Sequence, residues 1–100
     1  MNMNKELEEI IRTVKNLQGK ISKKYKAEVI GIFGSYSRGE QKKGSDVDVL
    51  VRFLEGATLF DFVGLANFLE EELNLKVDVV PADTVRKEIR EQVFKEVVYL

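Results

Sequence analysis

Residues 27–53 read AEVIGIFGSYSRGEQKKGSDVDVLVRF, and the way this stretch divides organises the rest of the chain. Ala27 to Phe33 is short, apolar and rich in β-branched residues, and it runs into Gly34 as a buried strand runs into a turn. Ser35 to Gly44 is polar and bounded by glycines, which predicts a short helical turn and a loop. Asp46 to Phe53 then alternates. Val47, Val49, Val51 and Phe53 fall on one face and Asp46, Asp48, Leu50 and Arg52 on the other, the period of a second strand.

Outward from this centre the period changes. From Asn4 to about Lys24 the apolar residues Leu7, Ile10, Ile11, Val14, Leu17 and Ile21 recur at helical spacing, with Asn4 placed as an N-cap. Thr58 caps a second helix through about Leu73, with Asp61 at the capping-box position and an inward stripe of Leu59, Phe62, Val63, Ala66, Leu69 and Leu73. Phe68 projects almost opposite that stripe, so it is either covered by another element or exposed for a partner. Leu75 to Val80 is a third strand, stopped by Pro81. Asp83 is placed as the cap of a last helix whose stripe, Val85, Ile89, Val93 and Val97, runs almost to Leu100. The order is α-β-(short α)-β-α-β-α, an α/β (α+β) protein with a small mixed sheet of three or more strands and its helices packed on one face. Residues 1–100 read as a single domain, with no linker, repeat or low-complexity segment.

Composition excludes much of the chemistry available to enzymes. The 100 residues include no Cys and no His, so there is no disulfide, no thiolate nucleophile or thiolate zinc site, and no imidazole base or imidazole metal ligand. Any metal must sit on oxygens, which points to Mg²⁺, Mn²⁺ or Ca²⁺. Sixteen Lys+Arg against 17 Asp+Glu give a net charge of −1, which argues against direct nucleic-acid binding, where phosphate neutralisation normally demands a basic excess. No apolar run approaches a bilayer span and the N-terminus is acidic and polar, which predicts a soluble, unexported, cytoplasmic protein without membrane association.

Two features carry chemistry. Asp46 and Asp48 lie two apart on a strand, so they project from one face with about 6–7 Å between Cα atoms. If the strand bearing Asp78 lies alongside, a third carboxylate joins them. Two divalent ions held by three carboxylates and substrate phosphates are the arrangement used for in-line phosphoryl or nucleotidyl displacement. The second feature is Gly34-Ser35. A glycine leaving a buried strand turns sharply, and the following N–H groups and the Ser35 hydroxyl then point at an anion. Arg38 is placed to reach a phosphate oxygen or to pair with a carboxylate of the site. Lys42 and Lys43 sit in the loop before the aspartates, and Lys20, Lys23, Lys24 and Lys26 cluster at the end of the first helix, where cations suit the helix terminus.

Together these residues resemble a known signature. The run GSYSRGEQKKGSDVDVLV is similar to that of the DNA polymerase β-like nucleotidyltransferase superfamily, through Gly34, Ser35, Arg38, Gly39, Ser45, Asp46 and Asp48, with Asp78 matching the family's third carboxylate. The shortness of the chain and its ending, IREQVFKEVVYL, resemble the minimal nucleotidyltransferases that act as antitoxins to helical HEPN ribonuclease toxins. The resemblance implies metal-dependent transfer of AMP from ATP to a tyrosine hydroxyl of the partner toxin. It implies that Gly34 and Ser35 hold the β- and γ-phosphates, with Ser45 and Arg38 also on the nucleotide side. Asp46 and Asp48 would carry one Mg²⁺ and help hold a second, and Asp78 would ligate the second and serve as the proton acceptor; Mn²⁺ is the substitute cation. Two other functions fit the same residues: an antitoxin that inhibits by binding alone, and a nucleotidyltransferase acting on a small molecule or an RNA end. The Phe68 position and the lack of a second lobe predict that the chain works in a complex, as a homo-oligomer or with its partner.

Overall fold

A computed structural model describes residues 4–100. The first helix, α1 (Lys5–Tyr25), starts at Asn4, whose side chain accepts the Leu7 N–H at 2.9 Å, the cap expected from the sequence. It is followed by β1 (Ala27–Phe33), a single turn α2 (Ser35–Arg38), β2 (Val47–Phe53), α3 (Leu59–Leu73), β3 (Val77–Pro81), a 3₁₀ turn at Ala82–Thr84, α4 (Lys87–Glu96) and β4 (Val98–Tyr99). The sheet order is β3-β2-β1-β4, with β2 and β3 parallel and β1 antiparallel to both β2 and β4. The mixed α/β class stands, and among the described residues the sheet has four strands.

The main core lies between the sheet and α1 with α3, where Leu7, Val14, Ile21, Val29, Ile32, Val49, Val51, Leu65 and Leu69 are buried together. A smaller cluster on the opposite face joins Leu50 to Val85 and Val97, with Ile30, Phe33, Val80, Val93 and Phe94 around it. The last helix therefore covers the second face of the sheet, rather than lying with the others on one side. A register slip between Val29 and Gly31 makes this possible. One extra residue in an antiparallel strand reverses which side chains face the core. Val29 and Ile32 point to the main core, and Ile30 and Phe33 to the second face.

Several local expectations are corrected. The final helix does not run to the C-terminus: it ends at Glu96, and Val98–Tyr99 pair with β1 opposite Ile32 and Gly31. This edge is reached because Gly31 has no side chain, since a Cβ there would run into the Val98 carbonyl oxygen. Asp83 does not cap α4. It lies in the 3₁₀ turn, and the helix begins four residues later after Arg86, with Val85 buried in the connection. The inward stripe of α3 is borne out in part, since Phe62, Ala66, Leu69 and Leu73 pack on the main core. Leu65 and Leu69 are buried, whereas Leu59 is 74% exposed and Val63 49%. Phe68 is covered by the end of α1, its ring centroid 5.4 Å from that of Tyr25, so it provides no argument for a partner. The capping pair is as expected, with the Thr58 N–H donating to Asp61 at 2.9 Å.

One side chain acts as a piece of strand. β4 is too short to pair with Val29, and Gln18 of α1 takes its place: the Gln18 amide donates to the Val29 carbonyl at 2.9 Å and accepts the Val29 N–H at 3.1 Å. Val29 is buried, so nothing else would satisfy these two groups. Gln18→Ala is expected to cost about 1–3 kcal/mol, read as a lower urea midpoint at unchanged slope.

Candidate active site

Gly34 closes β1 with φ 76° and ψ −150°, a conformation open essentially to glycine alone. Its carbonyl accepts the Ser37 and Arg38 N–H groups at 3.1 and 3.2 Å and the Ser37 hydroxyl at 2.9 Å. The chain is thereby folded back into α2. The turn is fastened to the start of α1, because the Asn4 amide donates to the Tyr36 carbonyl at 3.2 Å and Gln41 donates to the Asn4 Oδ1 at 3.0 Å. Buried Tyr36 plugs the turn into the main core.

The three aspartates arrive on neighbouring strands. Asp46 immediately precedes β2, rather than lying inside it, and Asp48 is its second residue. Asp78 stands directly opposite Asp48 in the parallel register of β2 and β3. Asp46 and Asp78 are exposed and Asp48 is half-buried. The Gly34 backbone lies so close to Asp48 that a Cβ on the glycine would collide with the carboxylate. Burial, then the neighbouring Asp78 and Asp46 charges, push the Asp48 pKa up from 3.8 to about 6, and Arg38 opposes the rise.

These residues line an open cleft of about 580 Å³, whose walls include Gly34, Ser35, Arg38, Ser45, Asp46 and Asp48. Arg38 is the one basic side chain among the described residues lining it, and it is already held by Glu40 at 2.9 Å and Glu96 at 2.6 Å. Ser45 lines the cleft while its hydroxyl accepts the Lys42 N–H at 2.8 Å, closing the loop before the aspartates. Lys42 and Lys43 are exposed in that loop. Two wall residues, Val93 and Glu96, come from α4. No spacing rule connects them to the Asp46–Asp48 pair. They meet it only because α4 lies on the second face of the sheet.

The donor set is all oxygen, which suits a hard cation such as Mg²⁺. No three acidic side chains among the described residues converge as a closed metal cage would require. Mg²⁺ does not need one, because it is ordinarily held by one or two carboxylates with substrate phosphates and water. An acidic cleft beside a phosphate-type turn also repels a polyanion unless a cation joins them. The residues therefore fit a divalent cation that is held jointly by carboxylates and a phosphate-bearing ligand.

A glycine–serine turn facing carboxylates on two parallel strands of a small mixed sheet defines a class of proteins that handle phosphorylated substrates. The nucleotidyltransferase domain model matches residues 7–100, and the chain belongs to that family. The chain is 40% identical over 94 residues to the protein adenylyltransferase MntA of Thermococcus cleftensis, covering 94% of this chain and 95% of the relative. A solved structure of a candidate minimal nucleotidyltransferase is 36% identical and superposes with a TM-score of 0.77, covering 92% of this chain and 94% of that one. A crystal structure of a toxin–antitoxin with AMP-PNP contains a chain 28% identical, with a TM-score of 0.66, covering 85% of this chain and 70% of that one.

Proposed function

We propose that this chain is a Mg²⁺-dependent protein adenylyltransferase that moves AMP from ATP to a tyrosine hydroxyl of a HEPN ribonuclease toxin, and so acts as the antitoxin in the cytoplasm. The observation that carries this reading is the in-register pair Asp48 and Asp78, with Asp46 beside it, next to the Gly34-Ser35 turn. The adenylyltransferase relative and the toxin–antitoxin structure holding an ATP analogue support the donor and the kind of partner.

In this reading Ser35 and the backbone after Gly34 bind the β- and γ-phosphates, and Ser45 lines the same side. Asp46 and Asp48 would hold one cation and help hold a second, which Asp78 would ligate. When bound, Mg²⁺ neutralises charge on the triphosphate and lowers the pKa of the attacking hydroxyl. Glu40 and Glu96 fix Arg38 at the cleft wall, where its guanidinium keeps part of the acidic wall neutral. The acceptor oxygen forms its bond to the α-phosphorus as the bond from that phosphorus to the bridging oxygen breaks. Pyrophosphate leaves with that electron pair. The hydroxyl proton passes to Asp78, which is exposed and free to release it to water.

The test combines the chain with Mg²⁺, ATP labelled at the α-phosphate and the product of an adjacent HEPN-like gene. Label on the partner that disappears with EDTA, or when the acceptor tyrosine is changed to phenylalanine, is the expected result. Inhibition of the partner's ribonuclease without any label would show a binding antitoxin and overturn the proposal.

A further inference from the structure

A second, more apolar cavity of about 340 Å³ adjoins the phosphate-side cleft and shares Phe33, Asp48 and Val93 with it. Its walls are Phe33, Val80, Val85, Ile89 and Val93, and it opens on both Asp48 and Asp78. Thr84 and Arg86 also line it. Ile89 is 48% exposed, a large aliphatic side chain in a cavity that ends on two carboxylates, with only part of its surface covered. Aliphatic walls ending on carboxylates match a ligand that is apolar along its body and carries a hydroxyl at its tip.

We infer that this cavity is the acceptor pocket, and that it takes the ring of a tyrosine with its hydroxyl directed at Asp48 and Asp78. The inference rests on the proposed function and deepens it. In-line displacement puts the attacking and leaving oxygens on opposite sides of the phosphorus. With the leaving pyrophosphate on the Gly34, Ser35 and Arg38 side of Asp48, the attack comes from the Asp78 side, where the cavity lies. A serine or threonine hydroxyl has no ring to fill the apolar walls, so the pocket selects for a phenol. The pocket owes its shape to α4 and the segment before it, which place Val85, Ile89 and Val93 over the strand residues Phe33 and Val80.

The test uses the full chain with Mg²⁺ and AMP-PNP. N-acetyl-tyrosinamide should shift the NMR methyl signals of Val80, Val85, Ile89 and Val93, and N-acetyl-serinamide should leave them in place. Ile89→Trp, made at a rim position so that folding is kept, should abolish those shifts. In the same variant, kcat/KM for AMP transfer to the partner protein should fall at least about 30-fold, while the affinity for labelled ATP stays within about twofold. ATP affinity falling in parallel would make this the nucleoside pocket and overturn the assignment. Ile89→Trp with undiminished transfer, or no methyl shift with the tyrosine probe, would overturn it as well. Failure of the proposed function is seen separately, as wild-type chain that labels no protein at all.

Discussion

Asp48→Asn is expected to reduce AMP transfer by at least about a thousandfold, because it removes the carboxylate shared by both clefts and leaves an amide that neither carries charge nor binds Mg²⁺ comparably. The same change should make the metal-free protein more stable. Folding raises the Asp48 pKa from 3.8 to about 6, through burial first and then through Asp78 and Asp46. The folded chain therefore binds this proton more tightly than the unfolded chain. The stability this group contributes is fully present below about pH 4 and is lost as the pH rises through about 6. In EDTA the wild type should lose stability across that window. The asparagine variant should have a flatter profile and exceed the wild type at pH 7 by about 1–2 kcal/mol, discounted for the half-exposed setting. Urea midpoints at several pH values, with the labelled-ATP assay beside them, check both halves. A variant that kept its activity would show that Asp48 does not hold the cation.

Gly34→Ala should damage both stability and activity. The residue sits at φ 76° and ψ −150°, and a Cβ there collides with the Asp48 carboxylate. Backbone strain alone costs of order 1–3 kcal/mol. Relief of the collision requires the Asp48 carboxylate to leave its place between Gly34 and Asp78, so transfer should fall with stability. Combining Gly34→Ala with Asp48→Ala separates the two effects. The double variant should lose less stability than the sum of the single changes, because the collision needs both side chains. Strict additivity would mean that the glycine is needed for its backbone conformation only.

The comparison of expectation with structure shows where local information stops. Strand and helix periods placed β1, β2 and β3, and the caps at Asn4 and Thr58, because alternation and capping depend on residues within one turn or a few pleats of each other. The aspartates and the glycine turn were legible for the same reason, since two-residue spacing on a strand and a glycine at its end are local facts. The limits of the inward face of α3 were not. A stripe read from a helical wheel assumes one neighbour, whereas α3 packs on both α1 and the sheet, so Phe68 is covered and Leu59 exposed.

Residue order was enough to establish the family signature, the oxygen-only chemistry and the mixed α/β class. Tertiary structure decided the rest. It turned the C-terminal Val98–Tyr99 into an edge strand, which only the bare Gly31 backbone admits. It swung α4 onto the second face of the sheet, bringing Val93 and Glu96 to the cleft beside Gly34 and Asp48 and Ile89 to its apolar neighbour. These contacts join residues far apart in the chain, and their energy depends on which surfaces are left uncovered once the core has formed, a quantity that no local period encodes.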